Sequence, residues 1–378
     1  MLEIKFSYKI SAIDKALWNS LCPTDNPFIR YEFLYALEES GSVSAKTGWQ
    51  PMHLQLQEAG VTIAIMPLYL KNHSYGEYVF DWAWAEAYQK HGLDYYPKLL
   101  CAIPFSPVMG PRLLTQQNPK PLLHVIRSQL PALCEKLDAH SFHLLFPTDD
   151  EAAHLAHPNL MRRKGCQYQW FNKNYESFEH FLQHFTSRKR KNVKKERQKV
   201  VNQGITHIQL SGHEITPEQI EQFYDFYRMT YLKRGRDAYL TKAFFFQLQD
   251  TMPENLLLVF AMSGEQPVAA ALSLKDTTTL YGRYWGCFDE YDSLHFETCY
   301  YQGIDYCIQN HLQRFDSGAQ GEHKIQRGFQ PVATWSAHYV KEVGFNQAIK
   351  NFIVQETDMV DEQMIELSQY LPFKEGGE

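Results

Sequence analysis

Nowhere in the 378 residues does an apolar run approach the ~18 residues that a membrane-spanning helix needs. The seven cysteines, at 22, 101, 134, 166, 287, 299 and 307, form no C-x-x-C pair. Their odd number and scatter argue against a disulfide framework. The opening stretch MLEIKFSYKISAIDKALWNSL lacks a basic segment leading into an apolar one. No secretory leader is therefore expected, and a cytoplasmic location with reduced thiols is. Cationic excess is also missing: the net charge is −6, which excludes a general nucleic-acid binder and confines any anion site to a local patch. No Gly/Ser- or Pro-rich linker divides the chain, so its halves are expected to pack as one body.

Aromatic residues are abundant, at 14% of the chain. They suit aromatic cores or stacking surfaces. The length suggests two domains, or three small ones, and the order of elements points to α/β (α+β) modules. In the first half, HLQLQEAGVTIAIMPLYLKN (53–72) reads as strand, turn and strand, and 74–88 as an aromatic strand. Residues 97–114 read as a short helix start followed by a proline-rich loop. Helices are expected over 121–138 and 149–164, with strands at 141–147 and 166–172. In the second half a long polar helix is expected over 175–203, ending at Gly204. Helices at 216 onward and 240–252 precede strand, turn and strand over 255–276, an aromatic strand at 278–288 and a helix at 295–312. Strands follow in RFDSGA and at 333–340. Both halves contain a Gly turn, a buried strand and a Tyr-Gly-charged-Tyr step, at Tyr75–Tyr78 and Tyr281–Tyr284. This echo suggests a duplicated module, with domains at 1–173 and 174–378.

Three segments carry candidate chemistry. SRKRKNVKKERQK (187–199) holds eight Lys or Arg and one Glu. It is either a solvated helix face or, through Arg188, Arg190, Lys191, Lys194 and Lys195, a site for phosphates or RNA. In the strand LYGRYWGCF, Gly282 and Gly286 flank Arg283, Tyr284 and Trp285, and glycine within a strand often marks close approach of another backbone. His295 and Glu297 open the next helix as further catalytic candidates, the alternative for His295 being a capping or packing histidine. Their H-x-E spacing is half of a zinc-deaminase signature, but no P-C-x-x-C follows and no metal is expected. In GAQGEHKIQRGF (318–329), Glu322, His323, Lys324 and Arg327 stand between glycines after a strand. They make either a salt-bridged turn or a cluster in which Glu322 or His323 takes a proton while Lys324 and Arg327 neutralise an oxyanion or phosphate.

The stretches FDWAWAEAY, YYPKLLCAIPFSPVMGPRLL, SRKRKNVKKER, RYWG, LHFETCYYQGIDYCI and GAQGEHKIQRGFQPVATWSAHY together resemble the FemAB-like peptidoglycan biosynthesis/recognition family. The resemblance spans nearly the whole chain. It implies two tandem GNAT-type acyltransferase domains and transfer of an acyl or aminoacyl group to an amine. It implies as donor an acyl-CoA or an aminoacyl-tRNA, and as acceptor a small molecule or cell-wall precursor. Acetyltransferases of this type hold the coenzyme A pyrophosphate on a Gly-rich turn, whereas here CFDEYDSLHFE is acidic and lacks Gly, which counts against acetyl-CoA. The 187–199 helix would suit tRNA.

The enzyme reading gives Glu322 or His323 the role of base and the N–H groups of 283–286 that of oxyanion donors. Arg283, Lys324 and Arg327 would hold phosphate or carboxylate, Tyr284, Trp285, Trp82 and Trp84 would form walls, and Asp81 with the loop Pro104–Arg112 would close the crevice. The alternative is a non-catalytic module that recognises a glycan, peptide or RNA.

Overall fold

The computed structural model describes residues 2–155 and 157–374. The chain forms two compact units: Met1–Cys166 with Ala333–Glu362, and Gln167–Val332 with Gln363–Glu378. The strands of the first part of the chain are β1 (Leu2–Ser7), β2 (Trp49–Pro51), β3 (His53–Glu58), β4 (Val61–Met66), β5 (Tyr69–Lys71), β6 (Lys98–Cys101), β7 (Ser141–Leu145) and β8 (Met161–Phe171). Then come β9 (Ile205–Ser211), β10 (Leu256–Ser263), β11 (Gln266–Lys275), β12 (Thr279–Cys287), β13 (Arg314–Asp316) and β14 (Gln330–Val340). Helices α1 (Lys15–Leu21) to α5 are completed by α2 (Tyr31–Glu39), α3 (Trp82–Lys90), α4 (Pro119–Lys136) and α5 (Asp149–Leu155). The later helices are α6 (Phe178–Gln183), α7 (Ser187–Asn202), α8 (Pro217–Leu232), α9 (Lys242–Thr251), a helical run over 294–309, and a C-terminal helix Val343–Gln369. Among the described residues no helix is long and apolar enough to cross a membrane.

In the first unit β1, β3 and β4 form an antiparallel sheet. Beside it β2, β5, β6, β7 and β14 pair in that order, parallel only between β6 and β7. Leu122, Leu123, Ile126, Leu130 and Leu133 of α4 recur at helical spacing and are buried with Leu54, Leu99 and Leu144. Each such side chain contributes ~1.5–3 kcal/mol by leaving water. β14 belongs here because Ser336–Val340 pair with Ser141–Leu145, although its place in the chain puts it within 174–378.

In the second unit β9, β10, β11 and β12 run antiparallel. β13 then pairs parallel to β12 and antiparallel to the end of β8. Helix α8 starts where Thr216 accepts the amide N–H of Gln219 and Pro217 occupies the first turn. Its buried face, Ile220, Phe223, Phe226 and Tyr227, lies on β12. A Cβ on Gly286 would stand 1.8 Å from the carbonyl oxygen of Phe226, so only glycine permits this approach. In α7, Val193 and Val200, one heptad apart, are buried while half of the cations are exposed and half partly buried.

Several elements differ from the expectations. Residues 74–88 are not a strand: a loop leads to α3. The reason is a buried charge, since the Lys98 ammonium draws in Ser74 Oγ (2.8 Å), Glu77 Oε2 (2.8 Å) and Asp81 Oδ2. The backbone must curl around that charge to satisfy it. Tyr75–Tyr78 therefore lies in a loop and Tyr281–Tyr284 in β12, so the repeated tetrapeptide has two different backbones. Residues 97–114 open on a strand, β6, and not on a helix. Helix α5 stops at Leu155, before Pro158, and β8 starts at Met161. The long polar helix is broken into α6 and α7 at His184–Thr186, where Phe185 turns inward onto Phe181 and Phe373.

Candidate functional site

The second unit contains a hollow made by strand divergence. β12 pairs with β13 only at Thr279–Arg314, Leu280–Phe315 and Tyr281–Asp316. β12 continues to Cys287, held on its other edge by β11 through an irregular register at Leu272/Ser273. Past Tyr281 no strand among the described residues covers the β13-side edge of β12. A strand edge without a neighbour presents N–H and C=O groups. The Arg283 guanidinium clasps the mouth of the divergence by donating to both carboxylate oxygens of Asp316 (3.2 and 2.9 Å) and to its carbonyl (3.1 Å). Above this clasp lies a cavity of about 100 Å³, lined by Gly282, Arg283, Tyr284 and Trp285 of β12, Ser317, and His295, Cys299 and Tyr300 of the 294–309 run.

That run is wound as a π-helix over Glu297–Tyr301. Such bulges re-aim side chains and are frequent at functional sites. Here Cys299 and Tyr300 reach the hollow, whereas the carboxylate of Glu297 is buried elsewhere. It accepts from Arg197 Nε (3.1 Å) and Nη2 (2.9 Å) and from Gln302 (2.8 Å), and Asp305 shares the same guanidinium.

The His295 ring stands edge-on to Trp285 (5.4 Å) and Tyr300 (5.3 Å), with His323 at 6.3 Å. Neither ring nitrogen has a hydrogen-bond partner among the described residues. Burial lowers its pKa to about 4, helped by the nearby charges or dipoles of His323, Lys324 and Arg327. At neutral pH the imidazole is uncharged, with an accepting nitrogen available.

The 322–327 quartet winds as tight turns between Gly321 and Gly328, and its members have separate roles. Lys324 is buried, its Nζ donating to the carbonyls of Ser317 (2.8 Å) and Gly318 (3.0 Å). Burial brings its pKa down to about 8, against the pull of Asp316. His323 Nε2 meets the Tyr300 hydroxyl at 3.1 Å. Burial and then the Arg327 and Lys324 charges push the His323 pKa down. The Arg327 guanidinium lies 3.5 Å over the Phe296 ring and donates to Glu196 Oε1 (2.7 Å) and the His323 carbonyl (2.7 Å). Glu322 is exposed and accepts from the Gln363 amide (3.2 Å).

On α7, Arg188, Lys191, Lys194 and Lys195 are exposed and Arg190 is half-buried; Lys194 pairs with Glu179 at 2.7 Å. The remaining candidates belong to the first unit. Asp81 accepts from the Tyr95 hydroxyl (2.6 Å) and from Lys98. Trp82 is exposed and packs on Tyr75 at 4.9 Å, whereas Trp84 is buried edge-on to His338 at 5.0 Å. Arg112 is fully buried. Its guanidinium donates to the carbonyls of Leu145 (2.8 Å), Gly110 (3.0 Å) and Val108, so it holds its own loop in shape.

Sequence reasoning did not single out Cys299, Tyr300, Ser317 or Asp316. The i,i+4 spacing of His295 and Cys299 was a usable signal for the first. The others depend on the π turn and the strand divergence. No group of three or more His, Cys, Asp or Glu side chains is placed to hold a metal ion among the described residues.

The family model FemAB_like, described as peptidoglycan biosynthesis/recognition, matches residues 9–375. No curated protein matches the chain. Among solved structures, FemX aligns with 92% of this chain and 100% of its own at a TM-score of 0.55 and 11% identity. A conserved protein of unknown function from Bacteroides thetaiotaomicron aligns with 89% of this chain and 100% of its own, at a TM-score of 0.53 and 11% identity. L-PGS from Bacillus licheniformis aligns with 93% of this chain and 99% of its own, at a TM-score of 0.51 and 10% identity. At these identities the likeness is one of fold.

Proposed function

Because this chain belongs to the FemAB-like family, we propose that it transfers an acyl or aminoacyl group to an amine of a cell-wall precursor or related small molecule, in the hollow of its second unit. The observation that carries this reading is the early end of the β12–β13 pairing, which opens a strand edge beside the uncharged, unpartnered His295. An amine attacks only when neutral, so it needs a proton acceptor. His295 fills that role better than Glu322, which faces solvent. The amine nitrogen forms a bond to the acyl carbon, and the carbonyl oxygen takes negative charge. N–H groups of the β12 edge, with the Lys324 ammonium nearby, stabilise that charge. When the tetrahedral species collapses, the ester C–O or thioester C–S bond breaks. The proton taken by His295 returns to the departing oxygen or sulfur, leaving an amide and an alcohol or thiol.

The donor is an aminoacyl-tRNA or an acyl-CoA. The acidic loop ahead of His295, with Asp289, Glu290 and Asp292, weighs against the coenzyme A pyrophosphate at that position. The test is mass spectrometry of the protein incubated with charged tRNA or acyl-CoAs and an amine acceptor. A mass gain equal to the acyl group, absent with His295→Ala, is expected. No transfer from either donor class would overturn the reading.

A second reading, a catalytically silent module that recognises a glycan or peptide, is favoured by one observation. Tyr75 and Trp82 are exposed and packed together on the first unit. It predicts glycan or peptide binding that is lost with Trp82→Ala and untouched by His295→Ala.

A further inference from the structure

The same unit contains a second concavity of about 170 Å³ between α7 and the 322–327 turn. Lys189, Lys195 and Lys199 of α7 line one side; Arg327 and Gln326 line the other, and Tyr301 the floor. Lys199 is paired with Asp292 at 2.8 Å, whereas Lys189 and Lys195 have no carboxylate partner among the described residues. One carboxylate, Glu196, also lines the concavity, but it is neutralised by Arg327 and accepts from the Tyr301 hydroxyl. Arg327 is only 5% exposed, and its Nε has no partner among the described residues. A buried donor left unmet costs ~1–3 kcal/mol, and an acceptor from outside the chain would offset that cost.

We infer that this concavity binds a compact diphosphate carried by a substrate, between the two unpaired lysines of α7 and Arg327 of the 322–327 turn. At about 170 Å³ the concavity holds a group of the size of one diphosphate and not a run of nucleotides. It suits the diphosphate of a nucleotide, a coenzyme or a nucleotide- or lipid-linked sugar. The π turn links it to the hollow: Tyr300 faces the one cavity and the next residue, Tyr301, the other. Likewise Lys324 binds beside the hollow and Arg327, one turn on, lines the concavity. The inference deepens the acyl-transfer reading, and rests on it only for the claim that the diphosphate belongs to a reactant. It gives that reactant an anchor that the acidic loop before His295 does not supply.

The test is calorimetric titration of the full chain with inorganic pyrophosphate at low and high salt. Saturable binding that weakens with salt is expected. It should fall at least ~10-fold in a Lys189→Ala/Lys195→Ala double variant, whose exposed or half-exposed positions leave the thermal melt unchanged. Arg327→Lys, which keeps the charge but loses Nε–H, should also weaken it. His295→Ala should bind pyrophosphate as the wild type does. ADP, coenzyme A and tRNA then serve as competitors, separating diphosphate sources from RNA. Displacement by ADP or coenzyme A supports the assignment. The assignment is overturned if pyrophosphate does not bind, if the double variant binds it equally well, or if only tRNA displaces it. Pyrophosphate binding without any acyl transfer would leave the concavity standing and remove the acyl-transfer reading.

Discussion

Replacing His295 by Gln removes an imidazole that folding keeps uncharged, and the consequence can be read as a pH dependence of stability. The ring has a pKa of about 4 in the folded chain against 6.5 unperturbed, chiefly through burial. The unfolded chain therefore binds a proton that the folded one refuses. By linkage, the contribution to stability is complete above about pH 6.5, falls as pH drops, and levels off below about pH 4. At ~1.36 kcal/mol per unit the full difference is roughly 3 kcal/mol, an upper figure because the ring borders an open hollow. Urea unfolding of the wild type and His295→Gln, each followed from about pH 7 to about pH 4, isolates this difference. His143 and His338 are also kept neutral by burial, but they are present in both proteins and cancel. The wild type should lose more stability than the variant over that range, by an amount approaching this figure. Parallel curves would refute the argument, as would an imidazole resonance of His295 titrating near pH 6.5.

Asp316→Asn leaves the Arg283 guanidinium buried without its countercharge and should cost ~3–5 kcal/mol in denaturant unfolding; Arg283→Met in the same chain should recover part of that loss. Gly286→Ala must push α8 away from β12 by about 1 Å or more, because its Cβ would lie 1.8 Å from the Phe226 carbonyl oxygen. A loss of ~1–3 kcal/mol is expected from such overpacking, read from the thermal midpoint. Glu297→Gln weakens the hold on Arg197 and should lower the midpoint while turnover per folded molecule stays within about twofold. A complete loss of turnover with an unchanged midpoint would instead make Glu297 a catalytic residue.

What the sequence disclosed about this chain was mostly local. Val193 and Val200, the inward line of α7, stand one heptad apart, a spacing that needs no partner to be seen. Gly286 signalled a close backbone approach, and the carbonyl of Phe226 supplies it. Patterns of apolar residues sufficed for β10 to β12 and for α4, α8 and α9. The 72–81 loop was hidden because its cause, Lys98, is about twenty residues downstream and looks like any other lysine in sequence. The carbonyl cage that consumes Arg112 was hidden for a like reason, since Leu145 comes from another part of the first unit. The environment of His295 was equally non-local, because Lys324 and Arg327 reach it only once the 322–327 turn is folded. Within one sequence cluster, burial sent Lys324 beside the hollow and Arg327 to Glu196, and left Glu322 in solvent. No periodicity could have sorted those three charges.

The central claim is that the divergence of β12 and β13 makes an amide-forming site with His295 as its base. The most direct measurement is product analysis of the purified chain given charged tRNA or acyl-CoA and an amine acceptor, with His295→Ala alongside. The account predicts an amide product from the wild type and its disappearance in the variant, with the variant's fold intact. An unchanged yield from the variant, or no amide from the wild type with either class of donor, would contradict it.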